Sequence, residues 1–262
     1  MEVLKLLTDY YGSYDEDNRL RSRHGSVEFL TTMRYVQMYL KPGMRVLEIG
    51  AATGRYSHTL ARQGYKVDAV ELVQHNIEIF KANTQPCEDV KIYQGNAKHL
   101  DMLGDDSYDI TLLLGPMYHL FTVPEQLEAL SEAIRVTKKG GVVFAAYCGN
   151  EATMVQYCFG KGMIKEQRYQ DLIDPVTFKA SSDPAELFQL YRKEDIDKLM
   201  GVFPVTRLHY VGTDMATNYM RQTIDEMDDE LFDLYLKYHF AICERADLVG
   251  ASHHILDVFR KD

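Results

Sequence analysis

The amino-acid sequence predicts an α/β fold, a single domain on a seven-stranded, mostly parallel sheet with helices on both faces. Three observations predict it. From residue 44 to about 147, short apolar runs alternate with helical patterns, as expected where helical crossovers join parallel strands. The first run lies in VLEIGAATGRY, residues 46–56, and ends on a glycine-bearing turn that opens a helix. Two later strand patterns, VTRLHYVGTD and HHILDVFRK, flank another helical stretch.

Residues 1–43 read as a helical N-terminal segment. SVEFLTTMRYVQMYL sets Phe29, Met33, Val36 and Leu40 near one helix face and stops at Lys41-Pro42-Gly43. Residues 44–148 form the core, with strands MRVLEIG, KVDAVEL, VKIYQG, YDITLLLG and GVVFAAY. SHTLARQGY is a helix ending at Gly64, which is free to take the left-handed cap conformation. PEQLEALSEAIRVTKKGG starts on a proline, carries Leu127, Leu130 and Ile134 on one face, and ends in basic residues and glycines. Residues 149–203 break the alternation and read as an insertion, with turn signals at Asp174-Pro175 and Asp183-Pro184. In residues 204–262 the two last strands enclose DELFDLYLKYHFAIC, with Leu231, Leu234, Tyr235, Tyr238 and Ile242 at helix spacing.

Composition narrows the function. Twenty-nine Lys and Arg face 39 Asp and Glu, a formal charge of −10 over 262 residues, which disfavours a nucleic-acid partner. Cys87, Cys148, Cys158 and Cys243 show neither a C-x-x-C spacing nor a pattern with nearby histidines, so they are expected to be reduced thiols in the cytoplasm. No run approaches the length of a membrane helix and no export signal is visible, so no membrane is expected.

The ends of successive strands offer groups suited to one nucleoside. A glycine turn after a buried strand lets a ligand approach the backbone closely. The dinucleotide fingerprint G-x-G-x-x-G is absent from Gly50-Ala51-Ala52-Thr53-Gly54, so phosphate cradling is not the natural reading. Glu71 closes the second strand, where a carboxylate can accept both hydroxyl protons of a ribose. Gly95-Asn96-Ala97 closes the third, where an amide side chain and a backbone N–H can read an adenine edge. Leu114-Gly115-Pro116-Met117-Tyr118-His119 leaves the fourth and lays aromatic groups beside the same crevice.

Taken together, E-x-G-x-x-T-G (Glu48 to Gly54), VELV with Glu71, GNAKHL with Asn96, DITLLLGPMYHL and KKGGVVFAAY resemble the class I S-adenosylmethionine-dependent methyltransferases. The chain is most similar to their small-molecule branch, which includes quinone-biosynthesis-type enzymes, over about residues 14–148. The resemblance implies a Rossmann-like sheet whose last strand is antiparallel, a helical lid, and S-adenosylmethionine as cofactor, with S-adenosylhomocysteine as product. It places Gly50, Ala51, Ala52 and Gly54 against the cofactor's amino-acid and ribose portions, Glu71 on the ribose hydroxyls and Leu72 on the adenine. Glu48, Ala97 and Leu114 complete that set. Two positions depart from the pattern: Asn96 stands where an acid is usual and Ala52 where the middle glycine is usual.

A sulfonium methyl group is already activated, so in-line transfer needs a positioned acceptor and exclusion of water. His119 is the candidate base. The lid segment YYGSYDEDNRLRSRHGSVEF brings Tyr14, Arg19 and His24 as candidate contacts to substrate or cofactor, joined by Tyr118, Tyr235 and His239. His253 and His254 lie in the expected last strand, where alternation sends neighbours to opposite faces, so no metal site is expected there or elsewhere. The reading is therefore methyl transfer to a small-molecule acceptor, with residues 149–203 as substrate cap. The alternatives are a noncatalytic S-adenosylmethionine-binding protein, an RNA methyltransferase and an NAD-dependent oxidoreductase.

Overall fold

A computed structural model describes residues 2–13, 19–20 and 22–262 of the chain. It opens with α1 (Glu2–Ser13) and α2 (Arg23–Tyr39), the latter capped by the Ser22 hydroxyl, which accepts the Gly25 N–H at 3.1 Å. The core follows as β1 (Arg45–Ile49), α3 (Arg55–Arg62), β2 (Lys66–Glu71), α4 (Gln74–Asn83), β3 (Val90–Gln94), β4 (Tyr108–Leu113), α5 (Val123–Val136) and β5 (Thr137–Gly149). The insertion contains α6 (Asn150–Thr153), a π-helical turn at Met154–Phe159, α7 (Gln167–Leu172) and the two-residue strand β6 (Leu190–Tyr191). Then come α8 (Lys193–Met200), β7 (Val205–Gly212), α9 (Arg221–Asp225), α10 (Asp229–Ile242) and β8 (His254–Lys261).

The strands lie in the order β3-β2-β1-β4-β5-β8-β7, with β6 paired off β5. All pairings are parallel except those of β8, which runs antiparallel between β5 and β7. The seven expected strands are all present, and β6 is an eighth that its two-residue length hid from any periodicity. Strands buried on both faces have to be apolar throughout. Leu47, Ile49, Val143 and Ala145 pack on α5 and α8, while Val46, Ile110, Phe144 and Val258 face α2 and α3. The order reverses beside β1, whose neighbours are β2 and β4, and this switch point leaves a crevice at the strands' carboxyl ends.

Two element expectations are corrected. KKGG belongs to β5 rather than to the preceding helix, because α5 stops at Val136 and the chain turns directly into strand pairing with β4. On α10 the apolar face read from Leu231, Leu234 and Tyr238 points outward, these being 50%, 54% and 57% exposed. Phe232 and His239 are the buried positions, against Val27 of α2 and Thr31 respectively. The helix is apolar nearly all round, so spacing alone chose the wrong side.

Candidate active site

Two cavities open at the carboxyl edge of the sheet. The first, about 320 Å³, lies over the ends of β1, β2, β3 and β4, with Val3, Leu4 and Leu7 of α1 on its far side. The second, about 720 Å³, lies between the start of α2, the insertion and the start of β8. They share Tyr11, Arg19 and Tyr118 as a common wall.

The turn after β1 is held by hydrogen bonds to the second strand. The N–H groups of Gly50 and Ala51 both donate to the Val70 carbonyl, at 2.8 and 3.1 Å. Gly50 has φ +78°, and a Cβ there would come within 2.6 Å of Pro116 Cδ. Ala52 adopts φ +45° as well, a left-handed conformation that costs an alanine about 1 kcal/mol or more. Its N–H donates to Glu71 Oε2 at 2.8 Å, while Glu71 Oε1 accepts the Val73 N–H at 2.8 Å and the Asn76 amide at 3.4 Å. Burial raises the Glu71 pKa in spite of these donors.

Glu48, Gly50, Ala51, Ala52, Glu71 and Leu72 all border the first cavity, as do Asn96, Ala97 and Leu114. Gly54 does not. Its φ of +91° caps α3, and a Cβ would strike His58 and Phe80 at 2.6 Å, so this glycine is required by packing beneath the turn. Glu48 accepts the Ser57 N–H at 2.9 Å and the Ser57 hydroxyl, and burial pushes its pKa up to about 8. Asn96 turns its Oδ1 to the Lys98 N–H at 3.0 Å, so the acceptor expected to read an adenine is shared with the chain's own turn.

Both ring nitrogens of His119, the candidate base, have partners. Its Nδ1–H donates to the Leu187 carbonyl at 2.8 Å, which leaves Nε2 to accept the Tyr11 hydroxyl at 2.9 Å. Burial lowers its pKa to about 4. A nitrogen that weakly basic, with its lone pair engaged, ties α1 and the insertion to the exit of β4. Phe188, 5.3 Å from the His119 ring and 6.0 Å from Tyr118, completes an aromatic collar between the cavities.

The remaining candidates separate into three groups. Arg19 borders both cavities and pairs with Glu28, Nη1 to Oε2 at 2.8 Å. His24 borders the second cavity and binds Asp225 through Nδ1 at 2.7 Å and through its backbone N–H at 3.0 Å. Tyr235 and His239 border neither: Tyr235 pairs with the Thr217 hydroxyl at 2.6 Å, and His239 Nε2–H donates to Thr31 Oγ1 at 2.9 Å. They join α10 to the body of the fold, and burial lowers the His239 pKa to about 4. Tyr14 lies outside the described residues.

Sequence reasoning missed a polar cluster on the floor of the second cavity. Asp214, just after β7, accepts the Ser252 hydroxyl at 2.6 Å and the backbone N–H groups of His253 and His254 at 2.9 and 3.1 Å on Oδ1. Its Oδ2 accepts His254 Nδ1–H at 2.7 Å, and Glu28 Oε2 lies 3.3 Å from the same nitrogen. Burial alone would raise the Asp214 pKa and lower that of His254, but their mutual attraction, with Glu28 beside His254, reverses both shifts. The expectation that His253 and His254 face opposite ways fails because β8 begins at His254, which leaves His253 outside the alternation. Their rings stand 4.7 Å apart and both border the cavity.

Among the described residues no helix is long and apolar enough to cross a membrane. Residues 46–141 match the family model described as a methyltransferase domain. The chain is 29% identical over 147 residues to the demethylmenaquinone methyltransferase of Lysinibacillus sphaericus, an alignment covering 54% of this chain and 58% of that protein. It is 27% identical over 106 residues to an S-adenosyl-L-methionine-dependent Diels-Alderase of Talaromyces variabilis, covering 39% of this chain and 35% of that one. Thus the chain spans little more than half the length of the first of these relatives, and less of the second. In fold it is similar to a methyltransferase structure from Thermotoga maritima, with a TM-score of 0.59 at 18% identity, covering 99% of this chain and 100% of that one.

Proposed function

We propose that this chain, whose residues 46–141 match a methyltransferase domain, is a class I S-adenosylmethionine-dependent methyltransferase that transfers a methyl group from S-adenosylmethionine, bound in the first cavity, to a small-molecule acceptor seated in the second. The observation that carries this reading is the common wall: among the described residues Tyr11, Arg19 and Tyr118 border both spaces, so two ligands can meet there.

The residues of the first cavity suit the cofactor. Glu71 offers its remaining lone pairs to ribose hydroxyls, Leu72 and Ala97 supply apolar contact for a base, and Glu48 lies within the same space. When bound, S-adenosylmethionine supplies an activated methyl group on a sulfonium. The chain's own residues bind, orient and exclude water: α1 covers the cleft, with Tyr11 held by His119, while Tyr118 donates its hydroxyl to the Leu114 carbonyl at 3.0 Å and fixes the collar. Met154, Tyr157, Ile173 and Leu190 give the second cavity apolar wall beside polar groups such as Asp214 and His254, as for a small hydrophobic acceptor bearing a polar group. Four unpaired cysteines and the acidic balance suit a cytoplasmic enzyme acting on such a molecule.

A second reading keeps the cofactor without methyl transfer, as the name of the Diels-Alderase relative suggests for that protein. Calorimetric titration with S-adenosylmethionine, S-adenosylhomocysteine and NAD is the first test. Binding of the first two and not the third is expected, and NAD binding alone would sink the assignment. Release of S-adenosylhomocysteine when acceptor libraries are added then separates methyl transfer from cofactor binding alone.

A further inference from the structure

We propose that Asp214, His253 and His254 form a binding site for a divalent first-row transition-metal ion on the floor of the second cavity. One ligand atom from each of the three residues lies within 4.8 Å of the others, so a small inward turn of a side chain brings all three to the about 2.0–2.2 Å at which one ion is held. Two imidazoles and a carboxylate are a donor set that suits zinc, iron or manganese and leaves coordination positions open.

An independent observation points to the same place. Nδ1 of His253 is buried and has no hydrogen-bond partner. A buried polar atom left unpaired costs about 1–3 kcal/mol, so it calls for a ligand. The His253 ring borders the cavity, beside that of His254.

Charge and support agree. Asp214 and Glu28 both approach His254 Nδ1, at 2.7 and 3.3 Å, with the Arg19 guanidinium set against Glu28. Two carboxylates thus converge on one ring proton, and a cation entering between Oδ2 and Nδ1 displaces that proton to solvent. The Asp214 carboxylate is already oriented by Ser252 Oγ and by the backbone N–H groups of His253 and His254, the kind of outer support that fixes metal ligands. All three residues border the cavity. If that cavity holds the methyl acceptor, as proposed above, the ion meets an oxygen or nitrogen of it, which favours acceptors bearing a hydroxyl, carboxylate or amine.

The test uses the whole chain, stripped with a chelator and titrated with Zn²⁺ and Mn²⁺ by calorimetry, and with Co²⁺ while the visible spectrum is read. One equivalent should bind, with Co²⁺ bands of a nitrogen and oxygen ligand set. In His253→Ala the affinity should fall at least about tenfold, with binding of S-adenosylhomocysteine and the circular dichroism spectrum unchanged. Absence of binding, or equal affinity in wild type and His253→Ala, overturns the proposal, as do Co²⁺ bands of a thiolate site. The Co²⁺ spectrum of the wild type decides the question even if the variant fails to fold. None of these readouts depends on methyl transfer, so the metal site and the catalytic reading fail separately.

Discussion

The Tyr11 hydroxyl lies 2.9 Å from Nε2 of His119, and this hydrogen bond ties the first helix of the chain to the exit of the fourth strand. The two residues are 108 positions apart, so the bond exists only when α1 is seated over the first cavity.

Removing the bond should loosen the cover. Tyr11→Phe is expected to weaken S-adenosylhomocysteine binding by about 0.5–1.5 kcal/mol, the net worth of one hydrogen bond. His119→Ala should do so by more, since it also frees the Leu187 carbonyl. Calorimetric affinities check this. A His119→Ala protein with normal affinity and slow turnover would restore the histidine to the role of base.

Glu71 holds the glycine turn as well as any ligand. Glu71→Ala should cost about 1.5–3 kcal/mol in cofactor affinity and lower the thermal midpoint of the empty protein too, since the Ala52 and Val73 N–H groups lose their acceptor. A variant with an unchanged melting curve would show that the turn stands without it.

Ala52 pays a conformational penalty that glycine avoids. Ala52→Gly should raise stability by up to ~1 kcal/mol, the left-handed strain being partly offset by the freer unfolded chain. Ala51→Gly, where φ is not positive, should instead lower it. Urea denaturation of the two variants decides, and a loss in both would mean that the strain at Ala52 is absorbed by its neighbours.

Stability should fall on both sides of a maximum near pH 6.5. His119, His239 and His253 have pKa values lowered to about 4 by burial, so the unfolded chain binds protons more readily than the folded one between about pH 6.5 and 4. Their contribution is complete above 6.5 and is lost as pH falls through 4, on the order of 3 kcal/mol for a fully buried group such as His239. Glu48 has the opposite sign. Its folded pKa of about 8 lies above the ordinary 4.5, so its contribution is present below 4.5 and is lost as pH rises through 8. Denaturation midpoints from pH 4 to 9 should show both slopes, with Glu48→Gln flattening the arm above 6.5 and His239→Leu the acid arm. A variant curve parallel to the wild type would remove the group concerned.

Much of the core was legible because strands such as VLEI and ITLL are buried on both faces and so read as unbroken apolar runs. The glycine turn, Glu71 and Asn96 were legible because each sits where a strand ends, which chain order alone reveals. Gly54 shows the limit: its position in the motif pointed to the cofactor, but which side of the turn a missing side chain frees depends on His58 and Phe80. The cluster of Glu28, Asp214 and His254 joins residues far apart in sequence, from α2, the end of β7 and the start of β8, and no local pattern reports such a meeting. Tyr11 was hidden for the same reason. Its partner is fixed by how α1 docks, not by α1's own sequence.

The position of β8 constrains synthesis. It lies between β5 and β7, both of which precede it in the chain, and pairs with each along most of its length. Until residues 254–261 leave the ribosome, β5 and β7 present bare edges with a strand-wide gap between them, and the floor of the second cavity has no His254. A nascent chain at this stage exposes the unpaired backbone that seeds association between copies. Chaperone occupancy during translation should therefore persist until that last strand emerges, and a slow codon just upstream of it would lengthen the exposed interval.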